Sequence, residues 1–314
     1  MIDVVFSSFN GERTVGVTLD ACCRLVTPAG GWKLIAVDNG STDNTANIMH
    51  SFAARLPLQI LTVATRGKNN AINAALEFVQ GDLVVLTDDD VVPEPQWLCE
   101  LERCALLHPE YVLFGGPILP RWPQHPAEWI LSSVPLGMVY AVTDPARNSG
   151  EVEHTLVWGP NMAVRRCVFD TGIRFNGAVG PDGTAHYAMG SETEFTRRLR
   201  QSGFKAWFCA DARVEHIVRD HQLCRRWILQ RFFRKGRSDY LLDYKPDRNR
   251  HAIFGVDRWI YRKLVVSLFR AIGFWLIGKS NEALLALSEF HDARGNLYQA
   301  RSMHGKDADW RNRN

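Results

Sequence analysis

Three consecutive aspartates, Asp88, Asp89 and Asp90, directly follow a short apolar run in the segment VLTDDDVVP. Unit charges ~4 Å apart repel one another by about 4 kcal/mol at an effective dielectric constant of about 20, so the carboxylates need solvent, a raised pKa or a cation. Mg²⁺ and Mn²⁺ bind few protein carboxylates and complete their coordination with water and substrate phosphates. The trio therefore predicts a divalent-metal site that also holds a phosphorylated substrate, and a solvated acidic loop is the alternative.

A further carboxylate, Asp38, ends another apolar run in the segment VDNGSTDNT. Its oxygens can accept a hydrogen bond from the imide N–H of a nucleobase. The residues that follow, 41–45, have the composition of a turn and a helix cap. We expect Asp38 to contact a nucleoside, preferably uridine or another with an imide-bearing base, and residues 41–45 to begin a helix.

The elements that must position these side chains alternate between short β-branched runs and amphipathic stretches of helical period. This alternation predicts βαβ units and a mostly parallel sheet with helices on both faces. Ligands of such sheets bind beyond the carboxyl ends of the strands, where the polar residues lie here. The predicted strands are 3–8, 33–37, 58–63 and 83–87, and the predicted helices cover about 12–25, 43–55 and 69–79.

The second half of the chain has a less regular pattern. A helix is predicted after Pro95, a strand over 111–116, an irregular stretch over 117–145 and a strand with a tight turn over 156–166. The segment SETEFTRRLRQSG predicts a helix that begins with a capping box of Ser191 and Glu194 and stops at Gly203. The rest is predicted to be helical and basic.

The composition is that of a globular protein, with 314 residues, 46% hydrophobic, 23% charged and a formal net charge of +3. Seven cysteines lack the spacing of a disulfide scaffold or a zinc site, which indicates a reducing cytoplasm. We expect no nucleic-acid partner. The first residues read as a strand rather than as a signal peptide or membrane anchor.

One apolar stretch, 264–278, is too short for a membrane span and contains Arg270. We predict a helix that packs on the protein's own core. The alternative is an interfacial helix over 259–279, which would give a cytoplasmic protein peripheral contact with the inner face of the plasma membrane.

In order and spacing, the segments SSFNGERTVGVTLDACC, IAVDNGSTDNT, RGKNNAINAAL and GDLVVLTDDDVVPEPQWL resemble the nucleotide-sugar-binding half of family 2 glycosyltransferases. WGPNMAVRR and GSETEFTRRLRQSGF look like the acceptor-side segments of that family, and the similarity runs from residue 2 to about 216. It implies a GT-A fold, that is, an α/β fold with a Rossmann-like half and a mostly parallel sheet. The implied domains are a nucleotide-sugar-binding half (1–116), an acceptor and catalytic-base half (117–220) and a helical C-terminal extension (221–314).

The resemblance also implies roles for individual residues. A nucleoside-diphosphate sugar would be the donor and Mg²⁺ or Mn²⁺ the cofactor, with Asp90 as metal ligand and Asp88 at the ribose or sugar side. His216 would complete the metal shell, with His221 as the alternative. The other donor-binding positions would be Ser8, Asn10, Asp38, Lys68 and Asp89, and the acceptor-binding positions Trp158, Gly159 and Asn161.

The catalytic base of the family is usually an aspartate in a Glu-Asp pair that opens a helix, and the corresponding pair here is Ser191-Glu192. Glu192 keeps a carboxylate, one methylene longer, at a helix start where the dipole favours its ionised form. The resemblance therefore implies an inverting glycosyltransferase that acts by direct displacement on a glycan or lipid-linked acceptor, in the synthesis of a cell-envelope polysaccharide or glycolipid. A sugar-1-phosphate nucleotidyltransferase or a non-catalytic sugar-nucleotide-binding protein are the alternatives.

Overall fold

The computed structural model describes residues 1–243, 252–253 and 255–311, and the side chains of its last helix as far as Met303. The chain divides into two compact units. The first comprises Met1–Pro123, Leu136–Gly183 and Ser191–Val218. The second comprises Gln124–Pro135, Thr184–Gly190 and the chain from Arg219 onward.

The first unit contains the predicted βαβ units. Its strands and helices up to the aspartate trio are β1 (Ile2–Ser8), α1 (Val15–Cys22), β2 (Trp32–Asp38), α2 (Thr45–Ser51), β3 (Leu58–Thr62), α3 (Lys68–Leu76) and β4 (Leu83–Leu86). After the trio come β5 (Val91–Pro93), α4 (Trp97–Leu107), β6 (Leu113–Gly115) and β7 (Ile118–Arg121). The unit continues with α6 (Leu136–Tyr140), β8 (Gly150–Val152), β9 (Met162–Arg165), α7 (Arg166–Asp170), α8 (Ser191–Gln201), β10 (Ala206–Phe208) and β11 (Val214–Ile217).

The described residues form an eight-stranded sheet in the order β3-β2-β1-β4-β9-β6-β10-β8. All strands run in one direction except β9, which is antiparallel to β4 and β6, and β8, which is antiparallel to β10. The carboxyl ends of β1, β2 and β4 therefore lie at one edge, as the sequence predicts for a mostly parallel α/β sheet.

Alternate residues of the central strands are buried on opposite faces of this sheet. In β1, Val4 and Phe6 belong to the hydrophobic cluster that includes Leu19 of α1 and Leu101 of α4. Val5 belongs to the cluster on the other side, with Ala71 of α3 and Phe195 of α8. Because both faces are covered, the strands read in sequence as continuous apolar runs.

A second sheet corrects the prediction that 117–145 is irregular. In this region the structure has β7, α6 and the helix α5 (Glu128–Ser133), which lies in the second unit. β7 pairs in parallel with β11, and β11 pairs antiparallel with β5, which directly follows the aspartates. A strand partner so distant in the chain leaves no local periodic signal, which explains why β7 was missed, and α5 and α6, with 6 and 5 residues, are too short to show a helical period.

The second unit also contains, in chain order, α9 (Arg225–Asp243), the short strands β12 (Ala252–Ile253) and β13 (Val256–Asp257), α10 (Arg258–Leu276) and α11 (Ser280–Arg311). Ala252 pairs with Asp257 across this two-stranded ribbon. Among the described residues, no helix is both long and apolar enough to cross a membrane.

Candidate functional site

The three aspartates have three different partners. The Asp88 carboxylate lies 2.6 Å from Nζ of Lys68. The Ser8 hydroxyl donates a hydrogen bond to Asp89, and Asp90 Oδ1 lies 3.3 Å from Nε2 of His216. Among the described residues, no three His, Cys, Asp or Glu side chains are grouped so that they could hold a metal ion. The charges that looked crowded in sequence are therefore distributed over separate contacts.

Lys68 links Asp88 of the aspartate trio to the helix that carries the predicted base. Its ammonium group lies 2.6 Å from Asp88 and 2.9 Å from Oε1 of Glu192. Burial alone would lower the pKa of Lys68, but the two carboxylates outweigh burial and raise it. Lys68 therefore carries its positive charge at any physiological pH, as a phosphate contact requires.

The local backbone explains why Lys68 points into this site. It is the first residue of α3, and it follows Gly67, which has a positive φ of 122°. Glycine adopts this conformation without steric cost, so the chain can turn sharply into the helix. The Lys68 N–H donates to the carbonyl oxygen of Pro181 at 2.8 Å, which ties the start of α3 to the loop before α8.

Glu192 lies in the first turn of α8 and packs against the loop that contains Gly159. A Cβ atom placed on Gly159 would lie 2.3 Å from Oε1 of Glu192. Any side chain at position 159 would therefore displace the carboxylate. The predicted acceptor loop and the predicted base are thus in contact.

The pairing of β5 with β11 brings Asp90 next to His216. Val91 is the register partner of His216, so the residue before β5 meets the imidazole. The Tyr140 carbonyl oxygen lies 2.8 Å from Nδ1 of His216. A carbonyl oxygen only accepts hydrogen bonds, so Nδ1 carries a proton and Nε2 faces Asp90.

The electrostatics of this pair suit a cation. Burial alone would lower the pKa of His216, but the Asp90 carboxylate, together with Asp88 and the Tyr140 carbonyl oxygen, outweighs burial and raises the pKa. A neutral Nε2 would direct its lone pair at a carboxylate oxygen, so a proton or a metal ion between the two atoms is favourable. One carboxylate oxygen and one imidazole nitrogen are donors that Mn²⁺ accepts, and such ions take their remaining ligands from water and phosphates. His221, the alternative, lies on the short 3₁₀ turn Asp220–Leu223 of the second unit.

The other predicted nucleoside contacts lie at the ends of β1 and β2. Asp38 is 6% exposed, and its Oδ1 accepts from the Ser41 N–H at 3.1 Å. Asn10 has a positive φ of 54°, and its side-chain oxygen accepts from the Thr42 N–H at 2.8 Å. Both side chains therefore hold the loop after β2 in addition to lying at the predicted ligand edge.

Gly11 is a site residue that the sequence did not indicate. A Cβ atom there would lie 2.1 Å from Oδ2 of Asp89 and 2.3 Å from Oγ of Ser8. Only glycine leaves room for the hydrogen bond between Ser8 and Asp89.

Two buried asparagines that the sequence reading missed shape the loops around Lys68. Asn39 donates to the carbonyl oxygens of Val63 and Thr65 and accepts from the Gly67 N–H, at distances of 2.8–2.9 Å. Asn69 donates to two carbonyl oxygens of the loop before α8, those of Asn176 and Val179. A polar residue within the buried face of a predicted helix is the signal that could have identified Asn69.

The start of α8 differs from the predicted capping box. The Ser191 hydroxyl donates to Oδ1 of Asn69, and the Glu194 carboxylate pairs with Arg198 at 2.7 Å. Ser191 is 2% exposed, so an acidic residue at this position would be buried beside an amide oxygen. A serine at position 191 therefore fits the environment that Asn69 provides.

The three predicted acceptor residues occupy different environments. Trp158 is partly exposed, and its indole N–H donates to the Thr155 carbonyl oxygen at 2.6 Å. Gly159 is buried against Glu192. Asn161 is fully buried, donates to the carbonyl oxygens of Pro117 and Ala212, and accepts from the Trp97 indole N–H at 2.9 Å. Asn161 therefore holds the loop in place instead of facing a ligand.

Replacement of Asn161 by alanine is expected to lower the free energy of unfolding by about 3 kcal/mol, because it removes the partners of the buried Trp97 indole N–H and the Ala212 carbonyl oxygen. Chemical denaturation measures the change. The matched control is Asn47→Ala, at an exposed position where one side-chain bond to Asn44 is lost and a change within about 0.5 kcal/mol is expected. Equal stability of the Asn161 variant and the parent would contradict the positioning role.

A model of the family described as glycosyl transferase family 2 matches residues 3–168, a little over half of the chain. Over 180 residues the sequence is 26% identical to a glucosyl-dolichyl phosphate glucuronosyltransferase of Haloferax volcanii, which covers 57% of this chain and 56% of that protein. Over 99 residues it is 29% identical to an undecaprenyl-phosphate 4-deoxy-4-formamido-L-arabinose transferase of Shewanella sediminis, with 30% of each protein covered. The match thus spans between about a third and half of the length of these relatives.

Two solved structures have a similar fold. The mannosyltransferase PcManGT from Pyrobaculum calidifontis, in complex with GDP-Man and Mn²⁺, has a TM-score of 0.61 and 18% identity over 95% of this chain and 87% of that chain. S. aureus TarS 1-349 in complex with UDP-GlcNAc has a TM-score of 0.55 and 14% identity over 93% and 92%. At these identities the likeness shows the fold, and the predicted GT-A architecture is confirmed.

Proposed function

Because the chain belongs to glycosyl transferase family 2, we propose that it transfers a sugar from a nucleoside-diphosphate sugar to a hydroxyl group of a lipid-linked glycan, with inversion at the anomeric carbon. The observation that carries this proposal is the position of Lys68, whose ammonium group contacts both Asp88 of the donor-side motif and Glu192 at the start of α8. A donor phosphate that drew Lys68 from Asp88 and an acceptor hydroxyl at Glu192 would therefore both lie near this one ammonium group.

On the donor side, Ser8, Asp38 and the aspartate trio lie at the carboxyl edge of the parallel strands, where nucleotides bind in such sheets. Asp38 would contact the base, preferably uracil. Asp90 and His216 would hold Mg²⁺ or Mn²⁺, which when bound supplies positive charge to the oxygens of the diphosphate. The Lys68 side chain would turn from Asp88 toward the phosphates, where its positive charge would add to that of the metal ion.

On the acceptor side, Glu192 would act as the general base. Its carboxylate takes the proton of the acceptor hydroxyl as the acceptor oxygen bonds to the anomeric carbon, and the bond from that carbon to the diphosphate oxygen breaks. The electron pair of that bond leaves with the nucleoside diphosphate. A direct displacement of this kind inverts the configuration.

A carboxylate base at Glu192 would favour a hydroxyl acceptor over a phosphate acceptor. A phosphate monoester is already ionised at pH 7, since its second pKa is about 6, so it needs no base and would be repelled by Glu192. The curated relatives are named for dolichyl-phosphate and undecaprenyl-phosphate substrates. A sugar hydroxyl on a polyprenyl-phosphate-linked glycan of the cell envelope satisfies both considerations.

Incubation with a panel of UDP- and GDP-sugars, with and without Mn²⁺, tests the proposal. We expect Mn²⁺-dependent release of nucleoside diphosphate that increases when a lipid-linked glycan is added. Formation of pyrophosphate and a nucleotide sugar in a parallel incubation with a nucleoside triphosphate and a sugar 1-phosphate would instead indicate a nucleotidyltransferase. Tight donor binding without turnover on any acceptor would indicate a non-catalytic binding protein.

A further inference from the structure

Helix α10 places its large apolar side chains outward. Its buried residues are Ile260, Ser267 and Ala271, two of which are small. Phe269 and Trp275 are each 70% exposed. Further exposed apolar side chains on this helix are Trp259, Val265, Val266, Leu268, Ile272 and Leu276. A helix that packs on a protein core buries its large apolar residues, whereas α10 exposes them. The prediction that 264–278 packs on the core therefore holds for only one face of the helix.

The outward face follows the helical period. Exposed residues recur at 258, 262, 265, 269, 272 and 276, which are spaced three or four apart. Arg258 and Arg262 occupy the first two turns of this face, and apolar residues occupy the remainder. Residues 258–276 include no acidic residue, and two of their four basic residues, Arg258 and Arg262, lie on this face. The face is therefore apolar and cationic at once.

The inner face of α10 already has its partner. Lys263 forms an ion pair with Asp292 of α11, and Arg270 lies 2.6 Å from Glu289 of the same helix. Small buried residues of α11, among them Ala286 and Ala293, lie on the packed side of that helix. The outward apolar surface of α10 thus takes no part in the packing between α10 and α11.

An apolar groove adjoins this face at Ile272. It has a volume of ≈310 Å³ and is lined by Leu268, Ile272 and Trp275 of α10 together with residues of α11. Arg225, from the start of α9, is the one charged side chain among the lining residues that the structure describes. A groove of aliphatic and aromatic groups with a cation beside it suits a hydrocarbon chain with an anionic head.

We propose that the outward face of α10 docks on the surface of an anionic phospholipid bilayer, with the helix lying in the plane of the interface. Its apolar side chains would enter the boundary between headgroups and acyl chains, and Arg258 and Arg262 would bind the phosphates. Trp259 and Trp275 are 49% and 70% exposed, and tryptophan is enriched at membrane–water interfaces. Membrane docking is separate from the proposed sugar transfer. It can be tested without donor or acceptor, so one proposal can fail while the other holds.

Charge complementarity favours a bilayer over a second copy of the chain. A second copy would present the same cations and no acidic residue from this helix, so the cations would gain no counter-charge from it. Anionic headgroups supply the counter-charge, and the acyl region buries the apolar residues.

Flotation with vesicles of phosphatidylcholine alone and of phosphatidylcholine mixed with phosphatidylglycerol tests the proposal on the full chain. We expect binding to the mixed vesicles and about tenfold weaker partitioning for Phe269→Glu combined with Leu276→Glu. Arg258→Glu combined with Arg262→Glu should remove the dependence on phosphatidylglycerol. The matched control is Leu106→Glu, at a 75% exposed leucine of α4, which should bind as the parent does.

A second measurement keeps the test independent of the folding of these variants. Brominated acyl chains should quench the tryptophan fluorescence of the parent, and Trp275→Phe should reduce that quenching. Absence of binding to anionic vesicles, or equal binding by the α10 variants, would overturn the proposal. Concentration-dependent dimers without lipid that the same substitutions dissociate, with no vesicle binding, would assign the face to a second copy and overturn it as well.

Discussion

Replacement of Glu192 by glutamine is expected to reduce the rate of sugar transfer by about 10²–10⁴-fold, the usual contribution of a general base. Glutamine keeps the shape of the side chain that packs against Gly159 but cannot take a proton. Lys68 would keep its contact with Asp88, so the donor side should be little changed. Donor affinity, measured by calorimetric titration, should therefore stay within about twofold of the parent value, an expectation for a residue that acts mainly in the transition state.

The matched control for this experiment lies on the same helix. Glu194→Gln removes a carboxylate that pairs with Arg198 at 2.7 Å and has no assigned role in transfer. Near-normal turnover is expected for that variant. Near-normal turnover of the Glu192 variant would remove Glu192 from the mechanism, and a large loss of donor affinity would show that its contact with Lys68 serves donor binding instead.

Replacement of Asp90 by alanine is expected to weaken binding of a nucleoside diphosphate in the presence of Mn²⁺ by about 100-fold, because outer partners of a metal site alone contribute 10–100-fold to metal affinity. In the absence of Mn²⁺, parent and variant should bind alike. His216→Ala should show the same pattern, since Nε2 of His216 lies 3.3 Å from the Asp90 carboxylate. Titrations with and without Mn²⁺ measure both.

Asp82→Ala provides the control for the Asp90 experiment. Asp82 directly precedes β4, its side chain is 83% exposed, and it faces the amino end of the strand away from the aspartate trio. Its replacement should leave the titration unchanged. An unchanged titration of the Asp90 variant would contradict the assignment of a metal to Asp90 and His216.

The fold of the first unit was predictable because its strands and helices have strong local patterns. β1, β2 and β4 are continuous apolar runs, and the segments of α1, α2 and α3 between the strands have a helical period. The order and the type of these elements could therefore be predicted from one sequence. The stretch from 117 to 145 was not, because β7 depends on pairing with β11, almost a hundred residues later. Pairing energy of that kind comes from tertiary contacts and leaves little trace in the local sequence.

For the site, the types of chemical group were predictable and their contacts were not. Local sequence patterns predicted the carboxylates at the strand ends, because strand ends are local features, and the resemblance to family 2 glycosyltransferases implied the roles of Lys68 and Glu192. Neither showed that Asn39 and Asn69 hold the loops around Lys68, since each bonds to backbone groups more than twenty residues away.

The sequence by itself determined that the protein is an α/β protein with an acidic motif at the carboxyl edge of a parallel sheet, because hydrophobic period and turn residues act over a few positions. Only the tertiary structure decided that the three adjacent aspartates have separate partners, Lys68, Ser8 and His216, drawn from α3, β1 and β11. It also decided that α10 packs through small residues and exposes its large ones. The reason is the same in both cases: which face of an element is buried depends on what the rest of the chain places against it.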